Sequence, residues 1–552
     1  MSIATRAATA LALALAICGV ASVPAYASPV VAGATQCSAL KGLSDEHLKI
    51  VTAQVVPRGP QQSSGNAALT GSADSGASIF PAHCLVQGKI DAYLGADGKP
   101  YATNFEMRLP LSWDHRLLFQ GGGGLDGSVA PALGQIVVNG SAARSALERG
   151  FAVVSMDGGH EGQGADFAAD QQARLNFAFG AVGQVTTTAK LIIAKFYLRA
   201  PDKSYFMGCS NGGREAMIAA QRYPTQFDGI VAGDPAFNLS DASMLSHHGL
   251  ATFAKVSPIG PNGIPVTTKA FSPQELKLVS DAVLKACDGM DGVKDGLIFN
   301  QEQCHFDPSV LKCRSSASDQ CLSQQKVDVL KEAFAGPRDN AGNSIVGSWP
   351  YDAGVIGEGY REWRLGGVDA QGNAQTPMAD MSDAVLTRYF NYPPIASQKF
   401  KPMDYSKMRA DVAPMANLNN PTGLDFRTFE AKGGKLLMFT GWSDPVFTPI
   451  DLTHWYERLQ AADQVSEGKA TQTYARLFMV PGMNHCGGGP ALDNFDPLTT
   501  VVNWVEHGKA PDSIIATGSS FPGQTRPLCA YPKAAQYSGV GSTNDATSYV
   551  CK

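Results

Sequence analysis

Gly208-Cys209-Ser210-Asn211-Gly212 is the stretch of this chain best suited to covalent chemistry. A short apolar run, 203–207, leads into it, and 214–222 has helical periodicity. Strand, tight turn and helix together are the context of a nucleophile elbow, which lifts a serine hydroxyl above a sheet. Glycine is needed at 208 and 212 because a Cβ there would strike the neighbouring strand or helix. A serine nucleophile also needs a base to take its proton and an acid to orient that base. Asp444 follows the strand-like run 435–440 in Gly441-Trp442-Ser443-Asp444-Pro445. His485 follows the run 476–480 in Pro481-Gly482-Met483-Asn484-His485-Cys486-Gly487. Each sits on the turn after a late strand, where a triad acid and base belong.

The order Ser210, Asp444, His485 is that of an α/β-hydrolase. His160 precedes the serine and is read as a loop residue near the site at most; His454 and His507 lie in or beside helical stretches. Gln120-Gly121-Gly122-Gly123-Gly124 follows another strand, 116–119. Such a loop brings backbone N–H groups close to a ligand and suits an oxyanion hole. A phosphate cradle would need a Gly-Lys-Ser/Thr ending, which this loop lacks.

The elements that position these residues are legible as alternating strands and helices. Strands are expected at 86–94, 105–109, 116–119, 151–156, 203–207, 229–232, 435–440 and 476–480, with a long helix at 176–198. Between about 236 and 430 strand alternation fades, helical stretches such as 273–286 and 323–335 appear, and four cysteines cluster. The predicted fold is therefore α/β, an α/β-hydrolase core with a large inserted lid: 28–235 core, 236–430 lid, 431–552 core. A chain of 552 residues is too long for one compact core, which agrees with that division. Charged residues make up 17% and the formal net charge is −5, which argues against a nucleic-acid partner.

Residues 1–27 read as a signal peptide: Arg6, an uncharged apolar run at 8–20, and Ala25-Tyr26-Ala27 as cleavage site. The expected destination is the periplasm or the cell exterior, with no membrane association after cleavage. Removing the leader leaves ten of the eleven cysteines, an even number that suits disulfides in an exported chain. Sequence alone does not fix their connectivity. Sequence neighbours often pair, so Cys287–Cys304, Cys313–Cys321 and Cys529–Cys551 are natural short loops, and Cys37–Cys84 would staple the mature N-terminus. Cys209 and Cys486 then remain for each other. A bond between them needs Cα atoms within about 7 Å, which would bring Ser210 beside His485. In Cys287-Asp288-Gly289-Met290-Asp291-Gly292-Val293-Lys294-Asp295-Gly296-Leu297 three carboxylates crowd eight residues. The spacing is not that of an EF-hand, and either a calcium loop or a solvated acidic turn fits it.

Taken together, Gly-Cys-Ser-Asn-Gly-Gly, the later His-Cys pair and the acidic loop resemble the tannase and feruloyl esterase family, whose members include bacterial mono(2-hydroxyethyl) terephthalate hydrolase. The resemblance spans essentially the whole mature chain. It implies a Cys209–Cys486 disulfide. It also implies a structural Ca2+ on Asp288, Asp291 and Asp295 with the backbone oxygens of Val293 and Leu297, and oxyanion donors at the N–H groups of Gly123 and Asn211. By rough offset it puts Trp349, Arg364 and Phe447 at the substrate, Arg364 facing a substrate carboxylate. The implied activity is serine-dependent hydrolysis of small aromatic esters of feruloyl or galloyl type, with no diffusible cofactor. A terephthalate monoester is the alternative substrate, although that family member has Glu where this chain has Asn211. A peptidase using the same triad and a non-catalytic calcium-stabilised binding protein are the other readings; the second leaves three filled triad positions without a purpose.

Overall fold

The computed structural model describes residues 30–31, 33–60, 78–314, 320–467 and 470–552; the leader expected at 1–27 lies outside them. At its centre is a nine-stranded sheet. In chain order its strands are β1 (Leu48–Val56), β2 (His83–Leu94), β3 (Pro100–Pro110), β4 (Arg116–Gln120), β5 (Ala152–Met156), β6 (Lys203–Cys209), β7 (Gly229–Gly233), β8 (Lys435–Gly441) and β9 (Ala475–Val480). Across the sheet they run β9-β8-β7-β6-β4-β5-β3-β2-β1. β4 to β9 are mutually parallel where they pair, and β1, β2 and β3 join antiparallel at one end.

Composition explains the division. The parallel strands are covered on both faces, so they read as nearly unbroken apolar runs; β5, β7 and β9 are buried at every position. β1 and β2, towards the open edge, alternate buried residues with exposed or partly exposed ones instead. Every strand expected from the sequence is present, with ends moved by one to five residues. β1 is an addition, an edge strand in a segment whose composition says little.

One face of the sheet is covered by α1 (Ala181–Tyr197) and α2 (Asn211–Arg222), which bury Val185, Ile192, Phe196, Met217 and Ile218 against Phe119, Phe206 and Leu436. The helix expected from 176 begins earlier, as the turn Gln171–Leu175, and passes through a π-turn at Asn176–Gly180 before α1. Gln171–Tyr197 is long and apolar enough to cross a membrane by length and composition, yet its apolar stripe packs on the sheet. The other face is closed by 131–151 and the C-terminal segment, through residues such as Leu133, Val137, Phe495, Leu498 and Leu528.

Between β7 and β8 the described residues hold helices and one hairpin of two-residue strands. This region has a hydrophobic core of its own around Phe253, Phe271, Val283, Leu330 and Tyr389. It includes α3 (Leu239–Ala254), α4 (Glu358–Leu365) and α5 (Pro377–Ala384). Five disulfides are formed: Cys37–Cys84, Cys209–Cys486, Cys287–Cys304, Cys313–Cys321 and Cys529–Cys551.

Candidate active site

Ser210 sits between β6 and α2 with φ 62° and ψ −126°, a conformation that a non-glycine residue holds only when its surroundings enforce it. The enforcement is visible. Ser210 N–H donates to Gly233 O at 3.0 Å, and Ser210 O accepts from Ala236 N at 3.0 Å. A Cβ on Gly212 would lie 2.6 Å from Gly122 O, and one on Gly208 would overlap the Gly212 carbonyl. The elbow glycines are thus required by the first turn of α2 and by the glycine loop alongside.

That loop is pinned to the elbow. Gly121 N–H donates to Met207 O at 2.9 Å, and Gly122 N–H donates to the Glu215 carboxylate on α2 at 3.0 Å. Gly123 accepts a turn bond from Asp126 N at 3.0 Å. Beneath the loop the Asn211 side-chain amide donates to Asp126 and, at 3.3 Å, to Glu215; Arg214 Nε donates to Asn211 Oδ1 at 2.7 Å. Asp126 and Glu215 are both buried. Burial, then the Glu215 charge, pushes the Asp126 carboxyl well up; burial raises Glu215 as well, against the pull of Arg214. Asp126 Oδ2 is buried without a hydrogen-bond partner, so the two carboxyls are bridged only through the Asn211 amide.

His485 follows β9 and Asp444 follows β8. His485 Nδ1 donates to Asp444 Oδ2 at 2.9 Å, and Asp444 Oδ1 accepts from Val446 N at 2.7 Å and Phe447 N at 3.2 Å. Exposure is 1% for Asp444, 7% for His485 and 9% for Ser210. Burial alone would lower the imidazole; the Asp444 charge and hydrogen bond, with Asp234 behind, outweigh it and raise the His485 pKa. With Nδ1 committed to the acid, Nε2 is left as the basic nitrogen. Cys209 and Cys486, the neighbours of Ser210 and His485, are bonded with Cα atoms 6.1 Å apart.

Ser210 and Asn211 open on a narrow cavity of about 20 Å³ walled by Leu125, Leu239, Trp363, Met381, Val446 and Phe447. Trp363 and Phe447 also pack edge-on against the His485 ring, at 5.8 and 5.4 Å. The serine and the imidazole therefore share two aromatic walls. Among the described residues no charged side chain lines the cavity.

Of the three pocket residues expected from the sequence, Phe447 is there and the other two are not. Trp349 and Arg364 turn into the helical region, where the guanidinium stacks on Trp349 at 4.1 Å and lies over Phe253 at 5.7 Å. Arg364 is buried, without a hydrogen-bond partner on Nε or Nη2, and burial lowers its pKa to about 10. The reason is helical geometry: consecutive residues on α4 point about 100° apart, so Trp363 faces Ser210 and Arg364 faces away. The tryptophan one place earlier was the signal to follow.

His160 is buried against Phe167 with ring centroids 3.7 Å apart, and burial pushes it down to about 4. It does not line the Ser210 cavity. His454 borders a different cleft, with Trp349 and His305, and His507 ends the helix Pro497–His507.

In the acidic loop, Asp288 accepts from Gly296 N at 3.0 Å, Asp291 from Val293 N at 3.1 Å and Asp295 from Leu297 N at 3.2 Å. Burial first, then the Asp295 and Asp288 charges, pushes the Asp291 carboxyl to about 7. Arg526 from the C-terminal segment pairs with Asp295. Crowded hard oxygens suit a divalent cation; Arg526 already compensates one of the three.

A family model for tannase and feruloyl esterase matches residues 84–552. The mono(2-hydroxyethyl) terephthalate hydrolase of Piscinibacter sakaiensis is 37% identical over 536 residues, covering 87% of this chain and 86% of that protein. A probable feruloyl esterase B-2 of Aspergillus flavus is 29% identical over 452 residues, covering 78% and 79%. Among solved structures, feruloyl esterase B from Aspergillus oryzae superposes with a TM-score of 0.74 at 23% identity, over 94% of this chain and all of that one. The tannin acyl hydrolase of Aspergillus niger gives 0.70 at 21% identity, over 95% and 96%.

Proposed function

The chain belongs to the tannase and feruloyl esterase family and is a carboxylic ester hydrolase, and we propose that it cleaves esters of aromatic acids through Ser210, His485 and Asp444. The observation that carries this reading is the 2.9 Å bond from His485 to Asp444, on a loop tied by the Cys209–Cys486 bridge to the serine's own turn. In the reaction His485 Nε2 takes the Ser210 proton as Oγ attacks the ester carbonyl. The N–H groups of Gly123 and Asn211 stabilise the oxyanion. Collapse expels the alcohol, which receives the proton from His485. Water, deprotonated by His485, then hydrolyses the acyl-serine and returns the carboxylic acid and free Ser210.

The aromatic acyl class rests on the apolar cavity wall of Trp363, Phe447, Leu125 and Leu239. A terephthalate monoester is the second reading, suggested by the 37% identical relative; the uncharged cavity counts against it, because that acyl group carries a carboxylate. Export follows as part of the proposal from the leader and the disulfides. So does a structural Ca2+ held by Asp288, Asp291 and Asp295 with the backbone oxygens of Val293 and Leu297, which would neutralise the crowded acids and stabilise the loop. The test is hydrolysis of methyl ferulate, methyl gallate and mono(2-hydroxyethyl) terephthalate by the mature protein beside Ser210→Ala. Turnover of ferulate or gallate, reduced at least about 10³-fold in the variant, is expected. A folded protein inert on all three refutes the aromatic-ester reading.

A further inference from the structure

A second carboxylate, Asp234, stands behind the proposed base. It directly follows β7, next to the nucleophile strand, and is fully buried. Its Oδ1 accepts from Thr440 Oγ1 at 2.8 Å and Gly441 N at 2.9 Å; its Oδ2 accepts from Cys486 N at 2.8 Å. Its own N–H donates to Phe439 O at 2.8 Å, and its preceding residue accepts from Ser210 N. One side chain thus joins the ends of three strands: β7 beside the elbow, β8 that carries the Asp444 loop, and β9 whose loop carries His485. A carboxylate oxygen of Asp234, one of Asp444 and a ring nitrogen of His485 lie within 4.8 Å of one another.

Three N–H or O–H donors converge on its two oxygens. That donor set favours the ionised form. Burial and the neighbouring Asp444 oppose it and push the carboxyl up to about 7, with the His485 charge pulling back. The charged groups that face Asp234 are therefore Asp444 and His485; the Cys209–Cys486 bridge beside it does not titrate.

We propose that Asp234 is a positioning residue for the ester hydrolysis, clamping the acid and base loops to the elbow and serving as a second negative charge beside His485. This rests on the triad reading above. The first role fixes geometry. The second makes the imidazole more basic than Asp444 alone would, and stabilises the imidazolium formed in each acyl-transfer step.

Asp234→Asn and Thr440→Val separate the two roles from a merely structural one. The asparagine keeps the volume, but its amide nitrogen must face an N–H or O–H donor and its charge is gone. For Asp234→Asn we expect kcat to fall at least about tenfold with KM within about twofold. The acid limb of kcat/KM should move down by about one pH unit, because losing a nearby negative charge lowers the imidazolium pKa. Thr440→Val removes one donor to the carboxylate and should move the limb the same way by less. The His485 ring-proton resonance, titrated in Ser210→Ala with and without Asp234→Asn, gives the same shift without turnover. A folded Asp234→Asn protein that loses kcat while limb and titration stay put leaves a structural role and overturns the proposal. If Asp234→Asn does not fold, an unmoved limb in Thr440→Val does the same. Activity retained by Ser210→Ala would instead sink the nucleophile assignment, with the His485 titration still reporting on Asp234.

Discussion

Removing the Cys209–Cys486 bridge, as Cys209→Ala/Cys486→Ala, should cost both stability and catalysis. The bond closes a loop of 277 residues; in the chain-entropy treatment this corresponds to about 5.6 kcal/mol at 25 °C, an upper figure because two smaller bridges already shorten that loop. Cys313–Cys321 spans only 8 residues, for which the same treatment gives about 2.5 kcal/mol. The bridges also differ in surroundings. Cys209 and Cys486 are buried at the meeting point of three strand ends, whereas Cys313 lies in a partly exposed turn of the helical region. Urea denaturation of the two double-alanine variants, with ester hydrolysis in parallel, should therefore rank them clearly. The central variant should lose about 2–5 kcal/mol and most of its kcat, since nothing else covalent holds the His485 loop to the Ser210 turn. The peripheral one should lose less stability and keep its kcat. Equal midpoints for wild type and the central variant, or a full kcat in it, would refute the claim that this bridge fixes the geometry.

Two further outcomes follow from the same geometry. Glu215→Ala withdraws the acceptor of Gly122 N–H and of the Asn211 amide, so kcat should fall about 10–100-fold while Glu215→Gln, which can still accept that N–H, recovers part of it; equal values for the two variants would count against the loop's role. Adding Ca2+ to chelator-treated protein should raise Tm, and Asp291→Asn should reduce that rise; a Tm indifferent to both would leave the loop held by Arg526 alone.

The three residues proposed as the triad and the sheet that carries them are local in character. Ser210 lies between an apolar strand and a helix, and Asp444 and His485 each follow a run buried at nearly every position. Period and punctuation along the chain are enough to find such elements, because burial on both faces writes itself as continuous hydrophobicity. The five cysteine pairs were likewise within reach of spacing and resemblance. What only the tertiary structure decided is which face each helical residue presents. Trp363 and Arg364 are adjacent in sequence, yet one walls the cavity and the other is buried under Trp349. Polarity along the helix misleads, since the arginine lies on the buried face with Tyr360 and Leu365 while the tryptophan is only half-buried. Asp234, Asp126 and Glu215 escaped for a related reason: a buried acid is recognisable only by the donors that reach it, and those donors arrive from strands and loops as much as 252 residues away in the chain.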